Sequence, residues 1–468
     1  MKILILTIGS RGDVQPYVAL GKGLQAAGHS VTICTGPLFQ EMVEAHQIPF
    51  LPMDDEMIRL IETPEGKAMI EGGGSAFKAV SLVKPMIARM VRDAWAAAQI
   101  AMPDVIIYHP KTLSGYHIGE KLSKPIILTM ALPMYTPTRA FPLPITNFTL
   151  GGWFNRLTYQ MVPMISAPYG DVIGAFRQQL GLAKRGRFLN ETRLPDGRTT
   201  PTLYGISHYL IPRPADWPDE VQACGYWFLK QPDEWQPPAD LTAFLQAGPP
   251  PIYIGFGSMA GKHPDKLAAI AVAALQKAGQ RGILATGWGG LQPGDLPESI
   301  FQLKEAPHDW LFPQMAAVVH HGGAGTTAAG LQAGKPTLIC PFLGDQPFWG
   351  ERVYRLGVGP KPIPQKKLTA DNLAAALTTL VRDQAMQQKA TTLGQKLRAE
   401  DGVGTAVQFV EKVAQCLSVC RRRFSAVGDK SPTTNKHGSE IEQRPQPHLG
   451  GVGQGNAPGD GVLHGRAH

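Results

Sequence analysis

Cysteine is scarce, with 5 in 468 residues, and Cys34, Cys224, Cys340, Cys416 and Cys420 are scattered. An odd, dispersed set of this kind fits neither a disulfide framework nor a zinc site, and the Cys416/Cys420 spacing on a helix reads as incidental. No apolar run approaches the ~20 residues needed to cross a bilayer. The opening Met1-Lys2-Ile3-Leu4-Ile5-Leu6-Thr7-Ile8 has one positive charge and no small-residue cleavage site. It therefore reads as a first strand rather than a signal peptide, and the expected location is cytoplasmic. Missing too is a Gly-x-Gly-x-x-Gly fingerprint after that strand, where Gly9-Ser10-Arg11-Gly12 stands instead, which disfavours a dehydrogenase. Excess charge is modest once the end of the chain is set aside. Of the net +8, a surplus of +3 lies from Arg421 onward, seven Lys/Arg against four Asp/Glu, leaving about +5 elsewhere. That balance suits phosphorylated ligands or an anionic membrane surface, and without a recognition motif no specific nucleic-acid binding is expected.

What the chain does contain is strand and helix in alternation. Residues 2 to 8 predict a strand, Val14 to Ala27 a helix closed by Gly28, and Val31 to Thr35 a second strand. Further strands are expected at Asp104 to Tyr108 and Ile126 to Met130. After a Pro/Gly/Trp-rich stretch from Pro212 to Pro251, the pattern restarts at Ile252 to Phe256. It continues with helix Asp265 to Ala278, strands Gly282 to Thr286 and Val318 to His320, helix Gly325 to Ala333, strand Thr337 to Cys340 and helix Pro347 to Leu356. Three closing helices follow, the last from Gly404 to about Leu417. The fold class is therefore α/β, with two open parallel sheets in tandem and ligands at the carboxyl ends of their strands. Domain boundaries are placed at 1–215 and 216–424. Residues 425–468, rich in Gly, Pro, His, Gln and Asn, bury too little to offset their ordering entropy and read as a disordered tail.

The most informative segment is His320-His321-Gly322-Gly323-Ala324-Gly325-Thr326-Thr327. A strand ending in His, followed by a glycine turn into a helix, offers unpaired N–H groups and partial positive charge to a diphosphate. His321, Gly323, Gly325, Thr326 and Thr327 are its candidate ligands, while His320 is expected to point into the sheet by strand alternation. Gly257 and Ser258, at the mouth of the strand Ile252 to Phe256, permit close backbone approach and a hydroxyl contact. Asp345 and Gln346 suit sugar hydroxyls, with helix capping as the other reading of Asp345. Asp13 is either a helix N-cap or a general base, and His109, at a strand end, is either structural or an acid–base partner of Asp13. Trp310 is either a base-stacking or a core aromatic. The aromatic and Met-rich stretch Phe141 to Ala167, with Arg139, reads either as core or as a lining for an apolar acceptor.

With Gly9-Ser10-Arg11-Gly12-Asp13-Val14-Gln15-Pro16, Pro137 to Pro142 and Pro307 to Leu311, these motifs make roughly residues 1 to 415 resemble the UDP-glycosyltransferases, most closely the sterol glucosyltransferase branch, with antibiotic glycosyltransferases as relatives. The resemblance implies two tandem Rossmann-like domains facing a cleft, the glycosyltransferase B fold, with the last helix crossing back onto the N-terminal half. It implies inverting transfer of a hexose, glucose from UDP-glucose in the first instance, to a sterol or other lipophilic alcohol. No metal and no other cofactor is implied, and the chain has no Asp-x-Asp motif. Asp13 becomes the favoured base, with His109 standing where His-based relatives carry the orienting Asp. Ser10, Arg11, Gly12, Gly257, Ser258, Trp310, His321, Gly323, Gly325, Thr326, Asp345 and Gln346 become the donor-binding set. Two departures are visible. Trp310 stands three positions before Pro313 rather than two, and Ala329 stands where plant relatives bind ribose with Glu. Peripheral contact with the inner face of an anionic membrane is a further expectation, as is a small-aglycone transferase using UDP- or dTDP-sugars, or a non-catalytic nucleotide-sugar-binding protein.

Overall fold

The computed structural model describes residues 1–428 except 64–65, 67–75, 147, 187–189, 230–234, 258–263 and 287–293. Met1–Val419 form one compact unit, and Cys420–His468 are a separate one. Within the first, β1 (Lys2–Leu6), β2 (Ser30–Thr35), β3 (Phe50–Pro52), β4 (Val105–Tyr108), β5 (Ile126–Met130), β6 (Thr202–Tyr204) and β7 (Val221–Ala223) build one sheet. Its order is β3-β2-β1-β4-β5-β6-β7, with every neighbouring pair parallel. A second parallel sheet, ordered β10-β9-β8-β11-β12, holds β8 (Ile252–Gly255), β9 (Gly282–Ala285), β10 (Ile300–Leu303), β11 (Ala317–His320) and β12 (Thr337–Ile339).

Alternation along the strands feeds two cores per sheet. Ile3, Ile5, Val105 and Ile107 pack beneath the helix Arg11–Ala26, while Leu4, Leu6, Ile106 and Tyr108 meet the long helix Ala76–Ala101. Burial on both faces is why these strands read as unbroken apolar runs. In each sheet the strand order reverses at one place, between β1 and β4 and between β8 and β11. Those are the crevices where ligands bind in open α/β sheets, and all the glycine-rich turns singled out above open onto them.

The two halves share a core. Met130, Leu132 and Phe141 pack in one cluster with Leu331, Trp349 and Val353. The last helix, Gly402–Gly428, returns Ala406, Val407 and Val410 to the N-terminal core. Its approach is close enough that a Cβ on Gly23 would lie 2.2 Å from Val403.

Several boundaries differ from expectation. The first helix begins at Arg11 rather than Val14, which places Asp13 inside it and Pro16 in the second turn rather than the first. The N-terminal sheet extends through β7, past residue 215, by way of two strands of three residues each that are too short to show a period. The last helix runs to Gly428 rather than about Leu417, so 425–428, expected in the tail, are helical. The rest of that expected tail, 429–468, lies outside the described residues.

Candidate active site

Ser10, not Asp13, is the N-cap of the first helix; Asp13 is the third helical residue. Its Oδ2 accepts from the Ser10 N–H at 2.9 Å and from the Ser10 hydroxyl at 3.1 Å. This is the reaching-back half of a capping box, and it leaves Oδ1 facing the crevice. Gly9, at φ 142°, makes the arrangement feasible, because a Cβ there would lie 2.2 Å from Asp13 Oδ2. The Lys111 ammonium donates to Oδ1 at 2.6 Å. Burial alone would raise the Asp13 pKa, but the Lys111 charge, the neighbouring His109 ring and the hydrogen bonds from Lys111 and Ser10 outweigh it, so the pKa is lowered and the group is a carboxylate.

His109 follows Val105 and Ile107 onto the face beneath the first helix, and so toward Asp13. Its Nδ1 accepts the Lys111 N–H at 3.1 Å, which puts the proton of the neutral ring on Nε2. That Nε2 is 3.9 Å from Asp13 Oδ1, too far for a hydrogen bond. Burial first, and then the Lys111 charge, lower the His109 pKa to about 3. The imidazole is thus a neutral ring aimed at the carboxylate, edge-on to Tyr17 at 6.3 Å. Lys111 is a residue that sequence reasoning missed. Its only signal was its place two residues past a strand-end His.

On the opposite half, His320 is fully buried and its Nδ1 accepts the Gly322 N–H at 3.0 Å. His321 turns the other way, with the two rings at 87°. It lies against two glycines: a Cβ on Gly323 would come within 2.8 Å of its Nε2, and one on Gly257 within 3.4 Å of its Cε1. His321 Nδ1 is buried without a protein partner, and burial lowers the ring's pKa to about 4. Gly323 is the N-cap of the helix Ala324–Gln332, and Gly325, exposed, would meet nothing within 4 Å if it carried a Cβ. Thr326 is half-buried at this helix start. Thr327 departs from expectation: fully buried, its hydroxyl donates back to the Gly323 carbonyl at 2.9 Å, so it secures the helix rather than facing a ligand. Ser258 lies outside the described residues.

The Asp345 carboxylate occupies the N-cap position of the helix Gln346–Arg355 without capping it. It accepts from Trp349 Nε1 at 2.8 Å instead, which excludes the capping reading. Burial raises its pKa; Lys111 and Asp13 are near enough to act on it by charge, so this loop faces the N-terminal crevice. Gln346 is more committed than expected. It is buried, and its Oε1 accepts the Phe342 and Leu343 N–H groups at 2.7 and 3.2 Å, which leaves only its amide nitrogen for a sugar. Arg11 and Gly12 are exposed, with Arg11 Nε donating to Gln15 at 3.1 Å. Trp310 is partly buried in a tilted pair with Trp235, centroids 5.0 Å apart. His308, given no role from sequence, stacks on Phe312 at 4.3 Å. Its pKa is lowered to about 4 by burial and then by the charges of Arg11 and His321, so it sits between the two halves.

Two Rossmann-like halves with switch-point turns facing one another, a carboxylate on one side and a glycine-started helix on the other, constitute the glycosyltransferase B fold. Solved structures agree at the level of fold: the glycotransferase of kitacinnamycin at TM-score 0.68 and 19% identity, covering 88% of this chain and 98% of that one, and glycosyltransferase VinC in complex with dTDP at TM-score 0.62 and 20% identity, covering 89% and 100%. Residues 3–142 match the glycosyltransferase family 28 N-terminal domain, and residues 290–411 the erythromycin biosynthesis protein CIII-like C-terminal domain. The chain belongs to the glycosyltransferase family that contains the sterol 3-beta-glucosyltransferases. It is 36% identical to one from Arabidopsis thaliana over 87% of this chain and 67% of that protein. To one from Emericella nidulans it is 38% identical over 94% of this chain, yet spans only 32% of that longer protein.

Proposed function

We propose that this chain is an inverting, metal-independent glycosyltransferase that moves glucose from UDP-glucose to the hydroxyl of a sterol or similar lipophilic alcohol. The observation that carries the reading is the division of Asp13: Oδ2 is fixed by Ser10, and Oδ1 is directed into a crevice that also feels Asp345 from the other half. The names of the sterol 3-beta-glucosyltransferase relatives supply the donor sugar and the acceptor class.

In this reading the acceptor O–H displaces Lys111 from Asp13 Oδ1 and gives up its proton there as the oxygen bonds to the anomeric carbon. The bond from that carbon to the diphosphate breaks on the opposite face, with the electron pair leaving on oxygen, which inverts the centre. Amide N–H groups at the start of the helix Ala324–Gln332 and a neutral His321 donating a hydrogen bond receive the departing charge, a role in which fixed dipoles are strongest in a dry cleft. His109, with its proton on Nε2, is suited to steady the Asp13 carboxylate rather than to serve as base.

The test is product formation from UDP-glucose and detergent-dispersed sterol, with chelator present. One UDP released per steryl glucoside, with no loss of rate on chelation, is the expected result; UDP-glucose bound without turnover of any alcohol sinks the proposal. A second reading, transfer from a dTDP-sugar to a small aglycone, draws on the VinC fold match, and Ala329, standing where plant relatives bind ribose with Glu, gives no preference for UDP over dTDP. A donor panel separates the two.

A further inference from the structure

The donor side of the crevice is poor in full positive charge. Among the described residues, His308, His320 and His321 are held neutral by burial, and the only lysine or arginine charge that acts on them is that of Arg11, from the N-terminal half. Lys111, from the same half as Arg11, acts by charge on Asp345 across the crevice. A sugar nucleotide carries a negative charge on each phosphate, whereas a helix start supplies only about half of one positive charge. Arg11 and Lys111 are the described cations placed to supply the rest. Of the two, Lys111 is already bound to the carboxylate that the reaction needs free.

Lys111 is fixed at its backbone and free at its tip. It lies in the turn Pro110–Thr112, where its N–H donates to His109 Nδ1 at 3.1 Å and the buried Thr112 hydroxyl donates to the His109 carbonyl at 2.9 Å. Its side chain is half-exposed and ends 2.6 Å from Asp13 Oδ1. An ammonium on a flexible stem is a point charge that can exchange one anionic partner for another. Asp13 has no such freedom, because its Oδ2 holds both the N–H and the hydroxyl of Ser10. While Lys111 stays, the one oxygen able to take the acceptor's proton is occupied. A diphosphate at the start of the helix Ala324–Gln332 competes for the same ammonium with more charge than one carboxylate has.

We infer that Lys111 guards the base and answers to the donor: its ammonium covers Asp13 Oδ1 until the diphosphate of a sugar nucleotide draws it away, and the acceptor hydroxyl then takes its place. The inference rests on the proposed transfer reaction. Its signature is a coupling between diphosphate and acceptor hydroxyl, equal in both directions by linkage.

The experiment is calorimetric titration of the full chain with cholesterol, and with cholestenone, which has a ketone in place of the hydroxyl, each in detergent micelles. Each is measured without nucleotide, with uridine and with UDP, on wild type, Lys111→Met and Lys111→Arg. In wild type, UDP is expected to tighten cholesterol binding at least about fivefold and uridine not at all, and cholesterol to tighten UDP by the same factor. Cholestenone, with no proton to give, should show no such gain. Lys111→Met should bind cholesterol without UDP as tightly as wild type does with it, gain nothing from UDP, and bind UDP itself more weakly. Lys111→Arg, which keeps the charge, should keep the gain. Both variants should melt close to wild type, because the ion pair is half-exposed. Equal cholesterol affinity of wild type with UDP and with uridine overturns the inference, however the variants fold, as does a gain that persists in Lys111→Met. Steryl glucoside formation by wild type, measured alongside, separates the two readings: product without coupling leaves transfer standing and removes the guard, and no product removes both.

Discussion

Replacing Asp13 with Asn separates the two duties of that side chain. The amide oxygen can still accept the Ser10 N–H, so the start of the first helix survives. Lost are a negative charge at a helix N-terminus, worth about 0.3–1 kcal/mol, and an ion pair with the half-exposed Lys111, worth at most about 1 kcal/mol. The stability cost is therefore below about 2 kcal/mol. Loss of a general base costs about 10²–10⁴ in rate, or about 2.7–5.4 kcal/mol of transition-state stabilisation. The assay is steady-state release of UDP with sterol present, beside a thermal melt. The expected result for Asp13→Asn is a kcat at least about a hundredfold lower with a small change in Tm. Retention of more than about a tenth of wild-type kcat would refute the assignment of Asp13 as base. Lys111→Met supplies an internal check. Lys111 holds the Asp13 pKa down, so its removal raises that pKa, and the acid limb of kcat/KM moves to higher pH. A limb that stays in place would show that another group titrates.

The donor loop gives a contrasting pair. Gly325→Ala adds a methyl in open space and strengthens the helix, so the fold should be kept or stabilised by up to about 1 kcal/mol while KM for the nucleotide sugar rises, whereas Gly323→Ala presses on His321 Nε2 and should lower affinity and kcat together. Equal KM values for wild type and Gly325→Ala in titration would remove the diphosphate from that turn. Stability should fall as pH drops from 6.5 toward 4. His109, His117, His308, His320 and His321 are held neutral when folded, chiefly by burial, while their unfolded counterparts take up protons below 6.5, so each contributes stability that is lost on acidification at up to about 1.4 kcal/mol per pH unit. Glu191, raised to about 7 by burial, acts in the opposite sense between 4.5 and 7, so Glu191→Gln should raise Tm more at pH 8 than at pH 4.5. Melting curves across that range check both statements; a flat profile for wild type counts against the histidine account.

Much of the fold was legible because parallel strands buried on both faces are written as continuous apolar runs, and segments such as Ile3 to Leu6 or Ala317 to Val319 need no partner to be recognised. The crevice turns were legible for a related reason, since Gly9 and Gly323 leave room that a Cβ would fill. Strands of three residues, β6 and β7, left no periodic trace. Among the site residues, Lys111 and His308 were hidden because their importance comes from what lies across space, Asp13 for the one and Arg11 with His321 for the other. Gln346 and Thr327 misled in the opposite direction: hydrogen-bonding side chains at a sheet edge serve the loop as readily as a ligand, and here both bond to their own backbone neighbourhood.

The coupling of Asp13 to Ser10 and Gly9 restricts how this site can be rebuilt. A neutral imidazole has a single acceptor nitrogen, which cannot both hold the Ser10 N–H and take the proton of an acceptor, so exchanging the acid for a histidine would open the first turn of the helix that carries it. The choice of base and the choice of turn are one decision in this chain, and a redesign that aims to change the chemistry must begin with the four residues before Asp13.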